Sequence, residues 1–392
     1  MPYDGFLGLT RPLKFAFTFD SYSRGLKEGF TLDQLEGLEF AEDATVEGVS
    51  SALKKLGTVE MIDGVKALTM RLGSSSGSKA DWDLVFNYCE GYGAVAGRES
   101  QAPALLEAWG IPHTFSDSAT MAVCIDKSKA KMICEHFKVP TSPFAVIPAR
   151  NSWPNDTVDI LACVDNSPHA ERLKEFPLFV KPSLTGSGNG VSQSNKAENR
   201  EQLVKVIENL SKEHPESSLL VERYLAGKEL TVGILGTGQD AKVIGVREFV
   251  FVKEGGPPPY APFIVDENDL YLSQEVYGHL NKAGWDATRP NPWPRRLELN
   301  DPLAQAASKV ALDAWRALGC RDAGRIDLRM DCKDLTKAVP NFMEVNTIAG
   351  LRPEWSDLVQ LAEDNGIGYD QLIAEIVGQA LKRLGMSRLQ VE

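Results

Sequence analysis

Two short runs near the end of this 392-residue chain carry groups able to handle a phosphoryl group. In RIDLRMD, Arg325 to Asp331, polar and apolar residues alternate strictly, so Arg325, Asp327 and Arg329 share one face of a strand, and Ile326, Leu328 and Met330 the other. In MEVNTIAG, Met343 to Gly350, Glu344 and Asn346 flank Val345 on one face before the chain breaks into a small-residue turn. A turn around Leu335–Thr336 would pair the runs as an antiparallel hairpin, with Asp327 opposite Glu344 and Arg325 opposite Asn346, since both pairs have the same index sum. Facing carboxylates repel unless a cation lies between them. Two carboxylates and an amide are the hard oxygens that Mg²⁺ takes while it shares its sphere with phosphate and water, and Mn²⁺ suits the same set. Either strand alone would read as a solvated face; together, with Arg325 beside them, they read as a nucleotide-metal site.

A second group lies in VKPSLTGSGNGVS, where Lys181 ends a strand and Gly186, Gly188 and Gly190 alternate with Ser187 and Asn189. Glycines let backbone N–H groups converge on phosphate oxygens, and the lysine adds a point charge. The pattern is neither a P-loop nor a Rossmann fingerprint, and alone it would pass for a turn. The third, VERYLAGKELTV, holds Glu222 and Glu229 around a turn at Gly227, with Arg223, Tyr224 and Leu225 between them. A strand end of this kind can accept an adenine amino group and ribose hydroxyls. Lys127, just inside a helix, is within reach of the same phosphates; unaided, it reads as a surface lysine.

Elements must position these groups. Strands are expected at Leu13–Phe19, Thr58–Ile62 and Trp82–Asn87, alternating with helices at Glu42–Leu56 and Gln101–Trp109, so an α/β lobe with a mainly parallel sheet opens the chain. A helix over Lys127–Phe137 buries Ala130, Ile133, Cys134 and Phe137; strands at Pro177–Pro182 and Leu219–Glu222 bracket a helix at Ala197–Leu210. Strands at Leu230–Ile234 and Ala241–Phe251 follow, then helices at Leu303–Leu318 and Tyr369–Leu384, the last with Leu384 on its buried stripe. Between Lys253 and Arg296 lie seven prolines in a segment too irregular for a core element, a loop of the kind that serves as lid or partner arm. The expected domains are 1–124, 125–217 and 218–392.

A net charge of −12 disfavours extended nucleic-acid or anionic-membrane surfaces. Six scattered cysteines show neither zinc spacing nor a disulfide framework, and no apolar run suits a signal or a membrane span, so a cytoplasmic protein is expected.

Assembled, the runs FNYCEGYG, ESQAPALLEAWGIPHTFSD, Asp126-Lys127, VKPSLTGSGNGVS, VERYLAGKELTV, RIDLRMD, FMEVNTIAG and GIGYDQLIAEIV resemble, in order, the ATP-grasp ligases, and within them the D-alanine–D-alanine ligase family, from about Trp82 to Leu384. The resemblance implies an ATP-grasp fold, an α/β lobe followed by two α+β lobes that clasp ATP, and ligation of an acid to an amine through an acyl phosphate. It implies Lys127 and Lys181 on the phosphates, Gly186 to Gly190 over them, Glu222 and Glu229 at adenine and ribose, and Asp327, Glu344 and Asn346 on magnesium. Arg325 and the Gly350 N–H fall near the reacting carboxyl group.

The departures cluster on the amino-acid side. The family's acidic residue after the first strand has no clear counterpart, which leaves Glu39 and Glu42 as candidates for the substrate ammonium. Thr185 stands where the family usually has Glu, although Ser187 keeps its serine, and Ser356, one residue late, matches imperfectly the serine that binds the second substrate's carboxylate. The implied substrates are therefore amino acids or their close relatives other than two D-alanines, with authentic D-alanine–D-alanine ligation and a non-catalytic ATP-binding regulator as alternatives. A carboxylase or a phosphate-forming kinase with the same ATP lobe is a further reading. The edge of the first lobe and the family tendency suggest a homodimer.

Overall fold

The computed structural model describes residues 11–74, 80–93, 97–186, 190–250 and 293–386. Three sheets organise them. The first has the order β2-β1-β3, with β1 (Leu13–Phe19) central and parallel to both β2 (Gly57–Asp63) and β3 (Leu84–Tyr88). All seven positions of β1 but Lys14 are buried, as a strand covered on both faces must be. The helix Asp43–Lys54 supplies Val49 and Leu53 to the core beneath it, and that core runs on into the C-terminal helix Tyr369–Arg383.

The second sheet has the order β4-β7-β5-β6: β4 (Phe144–Ile147), β5 (Leu178–Pro182), β6 (Lys196–Ala197) and β7 (Leu219–Arg223), backed by helix Arg200–Glu213. Here the expected boundary after residue 217 needs correction, because Leu219–Arg223 hydrogen-bonds between β4 and β5 and belongs to this lobe. Helix Lys127–His136 lies across the expected boundary in the other sense, since Ala130 and Cys134 pack into the core of the third sheet. On this helix Lys131 is buried and Phe137, just past its end, is 60% exposed, the reverse of what apolar spacing suggested.

The third sheet has the order β10-β9-β8-β11-β12, all antiparallel: β8 (Glu229–Leu235), β9 (Lys242–Val250), β10 (Trp293–Leu297), β11 (Ala323–Met330) and β12 (Pro340–Asn346). One face, with Val232, Ile234, Ile326, Leu328 and Phe342, packs under helix Pro302–Leu318. The proline-rich segment before it falls mostly outside the described residues, but its last part, Trp293 to Arg296, is strand rather than irregular chain. Pro294 is accommodated there because β10 is, among the described residues, an edge strand paired only with β9. Leu384, expected on the buried stripe of the last helix, lies just past its end and is 36% exposed. Among the described residues no helix is long and apolar enough to cross a membrane.

Candidate active site

The pairing of β9, β8, β11 and β12 sets side chains in rows across the open face of the third sheet. One row is Phe249, Glu229, Arg329 and Asn341; the next is Arg247, Thr231, Asp327 and Glu344; the third is Gly245, Gly233, Arg325 and Asn346. The third row is small on its first two strands for a steric reason. A Cβ at Gly245 would lie 2.6 Å from the carbonyl of Leu361, so helix Asp357–Glu363 can rest on the sheet there only if that side chain is missing. That helix in turn brings Asp357 to Arg325.

Asp327 faces Glu344, and Arg325 faces Asn346, in the register expected from the hairpin. A bulge beyond Asp327 shifts the pairing to Leu328 with Phe342 and leaves Met343 as the extra residue. The Asp327 carboxylate accepts from Arg325 Nε and Nη2 at 3.0 and 2.9 Å and from Asn346 Nδ2 at 3.2 Å. Glu344 Oε2 lies 3.2 Å from Lys127 Nζ, which also donates to the Thr185 carbonyl. Arg325 Nη1 is 2.9 Å from Asp357 Oδ2. Burial pulls the Arg325 guanidinium down, but Asp327, Asp357 and Glu344 outweigh it and hold the group above its ordinary value. The donor set fits a hard divalent cation: two facing carboxylates, a neighbouring amide, and two protein cations already standing against the carboxylate oxygens.

Lys181, at the end of β5, lies across the cleft from this row. Its Nζ is 2.9 Å from Glu222 Oε1, while Glu222 Oε2 is 2.6 Å from Lys131 Nζ. Burial alone would raise the Glu222 carboxyl; the two lysines win and bring it down to about 2. Glu229 sits in the opposite balance. Burial pushes it up to about 7, with Asp327 and Glu344 adding to the effect and Arg329 and Lys181 opposing it. Arg329 Nη1 is 3.2 Å from Glu229 Oε2 and Nη2 is 3.2 Å from the Tyr224 hydroxyl. Tyr224 and Leu225 line the cleft together with Phe179, Val191, Phe249 and Met343, which give that part of it a mostly apolar wall. The Arg223 side chain is exposed and pairs with Glu175 at 2.7 Å.

The glycine-rich loop is described at its two ends, and Ser187 and Gly188 lie outside the described residues. A Cβ at Gly186 would fall 2.2 Å from Glu39 Oε2, so the loop meets the first lobe there at the carboxylate end of Glu39. Gly190 closes the other end beside Pro182 and His214. Glu39 belongs to a buried group that the spacing of the chain did not reveal. The Arg98 guanidinium lies 2.8 Å from Glu39, 2.9 Å from Glu90 and 3.5 Å from Glu99, and Glu99 also meets the Thr347 hydroxyl at 3.4 Å. Burial pushes Glu99 up to about 7 and Glu90 well above its usual range, against the pull of Arg98. Glu42, the other candidate, instead pairs with Arg352 at 2.9 Å. Ser356 caps the start of helix Asp357–Glu363 without bonding its N–H groups; its Oγ accepts from the Arg352 N–H at 2.9 Å and sits 2.7 Å from where a Gly350 Cβ would be.

Lys127, Lys181, Glu222, Tyr224, Leu225, Glu229, Arg325, Asp327 and Glu344 thus line one cleft, with Asn346 beside them. Glu39, Gly350 and Ser356 are not among its lining residues: Glu39 meets the glycine-rich loop at Gly186, and Ser356 lies beside Gly350. Lys131, Arg98, Glu90, Glu99 and Asp357 were not singled out in sequence. The signals available were faint: Glu90 and Glu99 lie within two of the family-like runs, Arg98 directly precedes the second of them, and Lys131 is one helical turn after Lys127.

The model of the family described as D-ala D-ala ligase C-terminus matches residues 133–257 and 262–378. A D-alanine–D-alanine ligase of Xanthomonas axonopodis pv. citri is 28% identical over 334 residues, which is 85% of this chain and 88% of the relative. D-alanine–D-alanine ligase A of Bacillus cereus is 25% identical over 286 residues, 73% and 77% of the two chains. The solved D-alanine–D-alanine ligase of Bacillus anthracis complexed with ATP superposes with a TM-score of 0.62 at 19% identity, over 95% of this chain and 98% of that one. The VanG D-Ala:D-Ser ligase of Enterococcus faecalis gives 0.60 at 19% identity, over 94% and 100%.

Proposed function

This chain belongs to the D-ala D-ala ligase C-terminus family and is an ATP-grasp ligase, and from that premise we propose that it joins an amino-acid-like acid to an amine other than the D-alanine pair. The observation that carries the reading is the meeting of the Asp327–Glu344 pair with Lys127, Lys181 and Arg325 across one cleft. The acid's carboxylate oxygen attacks the γ-phosphorus and ADP leaves; the amine then attacks the acyl carbon of the resulting acyl phosphate, and phosphate leaves. Such chemistry needs charge neutralisation and alignment rather than a covalent side chain. Lys127 and Lys181 neutralise the phosphates, Glu229 takes the ribose hydroxyls, and Tyr224 and Leu225 flank adenine. Glu222, with each oxygen on a lysine, supports the phosphate lysines more than the adenine amino group. A magnesium ion held by Asp327, Glu344 and Asn346 would add charge neutralisation at the transferring phosphoryl. Arg325 and the Gly350 N–H steady the oxygen charge that develops on the acyl carbon's substituents.

Two contacts support the change of substrate. Asp357 brings a negative charge against Arg325, and the Glu39 carboxylate shares Arg98 with two more carboxylates. Glu39 is the better placed of the two candidates for a substrate ammonium, because it reaches the glycine-rich loop while Glu42 is held by Arg352. The test is a screen of amino-acid pairs for ADP release with a coupled product. Brisk turnover on D-alanine alone would overturn the substrate assignment and leave a D-alanine–D-alanine ligase, and ATP consumption indifferent to acid and amine would overturn the ligase reading. The open edge of β2, where Met61 is 41% exposed, supports a homodimer, which sedimentation would check.

A further inference from the structure

Lys131 has no exposed side-chain surface, yet it carries a charge into the wall of the nucleotide cleft. It stands one turn after Lys127 on helix Lys127–His136, with Nζ 2.6 Å from Glu222 Oε2 and 5.5 Å from the centre of the Phe144 ring. The other oxygen of Glu222 faces Lys181 at 2.9 Å. Lys181 and Glu222 line the cleft itself. An isolated Lys181–Glu222 pair would be neutral, and its lysine would have little attraction left for an anion. The trio of two ammonium groups and one carboxylate has one positive charge over.

We infer that Lys131 is a positioning residue for the nucleotide phosphates: by compensating Glu222 at its far oxygen, it leaves the charge of Lys181 available to the cleft. The inference rests on the reading of Lys181 as a phosphate-facing lysine. Burial and then the like charge of Lys181 pull Lys131 below the ordinary lysine range against the attraction of Glu222, whereas Lys181 stays above it because Glu222, Glu344 and Glu229 all outweigh its burial. Glu222, held at about 2, stays ionised between them.

The experiment compares the full-length protein with Lys131→Met, Glu222→Gln, Lys131→Met/Glu222→Gln and Lys181→Met, using Mg–ATP and adenosine as probes. Lys131→Met should bind Mg–ATP roughly tenfold more weakly, with a rise in KM for ATP larger than the fall in kcat, and bind adenosine as before, because one unit charge near the phosphates is lost and nothing near the nucleoside changes. The double variant, which restores the net charge of the trio and keeps an oxygen acceptor at residue 222, should recover most of the Mg–ATP affinity. Equal losses for ATP and adenosine would make Lys131 a packing prop and overturn the inference, as would a double variant no better than Lys131→Met. Should Lys131→Met fail to fold, Glu222→Gln against the double variant reads the same charge, and equal ATP affinity of those two proteins overturns the inference. Unchanged ATP binding by Lys181→Met would overturn the reading of Lys181 beneath it; a loss there beside no effect of Lys131 removal would overturn this inference alone.

Discussion

Adenosine should bind about tenfold more weakly at pH 6 than at pH 8, and Glu229→Gln should remove most of that dependence. The magnitude follows from the position of Glu229. Its carboxyl is buried beside Asp327 and Glu344, with Arg329 as its cationic partner, and titrates at about 7 in the unliganded cleft. Ribose hydroxyls donate hydrogen bonds, so they favour the ionised carboxylate; a proton on Glu229 must leave before they can bind it. The sign is therefore fixed: affinity is full above 7 and falls with each proton taken up below it, which over two pH steps across a pKa of about 7 amounts to about a factor of ten. Adenosine is the appropriate ligand because it has no phosphate of its own to titrate in this range. Calorimetry in buffers of different ionisation heat would register the same event as proton release. A flat profile in the unmodified protein, or a profile that keeps its slope in Glu229→Gln, would refute the placement of the ribose against this residue.

Three other expectations concern charge. Asp327→Asn or Glu344→Gln should lower the rate of ATP-driven bond formation by a factor of about 100 or more, since each removes an anionic oxygen from the metal set; steady-state assays over a range of Mg²⁺ concentrations would show it, and near-normal turnover at saturating metal would contradict the assignment. Arg98→Met should destabilise the protein by about 3–5 kcal/mol in urea unfolding at pH 8 and by less at pH 6, because Glu39, Glu90 and Glu99 are left without their common partner and protonation relieves them; an unchanged midpoint would show that the cluster is not held by that guanidinium. Glu222 lies below its unfolded value of 4.5, at about 2, so its stabilisation is complete above pH 4.5 and is lost as the pH falls toward 2. The loss is on the order of 3 kcal/mol and should be absent from the acid unfolding of Lys131→Met/Glu222→Gln.

How far the sequence led differs from element to element. The register of β11 against β12 was legible because strict alternation on one strand and a two-residue carboxylate–amide spacing on the other admit one antiparallel pairing that places all the polar groups together. The bulge at Met343 was not, because an extra residue leaves the local alternation of each strand intact and shows only when the strands are paired. Leu219–Arg223 reads as the start of the last lobe because the next strand follows six residues later; its sheet is decided by β4 and β5, which are distant in sequence. Lys131 reads as solvated because lysines rarely lose all exposure unless paired, and its partner Glu222 is 91 residues away. The same holds for Arg98, whose partner Glu39 comes from a different turn of the first lobe, 59 residues earlier in the chain. Sequence thus exposes chemistry carried on one strand or one hairpin, and hides chemistry made by contacts between segments far apart in the chain.

The charged groups of the cleft are already paired without a ligand, and this shapes what binding must do. Lys127, Lys131, Lys181, Arg325 and Arg329 stand against Glu222, Glu229, Asp327, Glu344 and Asp357, each within 3.2 Å of a partner in the set. Such pairing is the condition for keeping so many ionised groups out of water. It also means that a divalent ion on Asp327 and Glu344 would compete with Arg325 and Lys127 for the same carboxylates, and a guanidinium or ammonium loosened in this way then needs another anion. On the proposed assignment the phosphates of a nucleotide would meet the need of Lys127, and the carboxyl group of the acid, with Asp357, would meet that of Arg325. Metal, nucleotide and acid would then favour one another through the same two cations, so Mg²⁺ alone should bind far more weakly than Mg²⁺ with ATP. The coupling follows from the pairing of the rows, because Arg325 and Asp327 stand two residues apart on one strand and neither can change partner without the other.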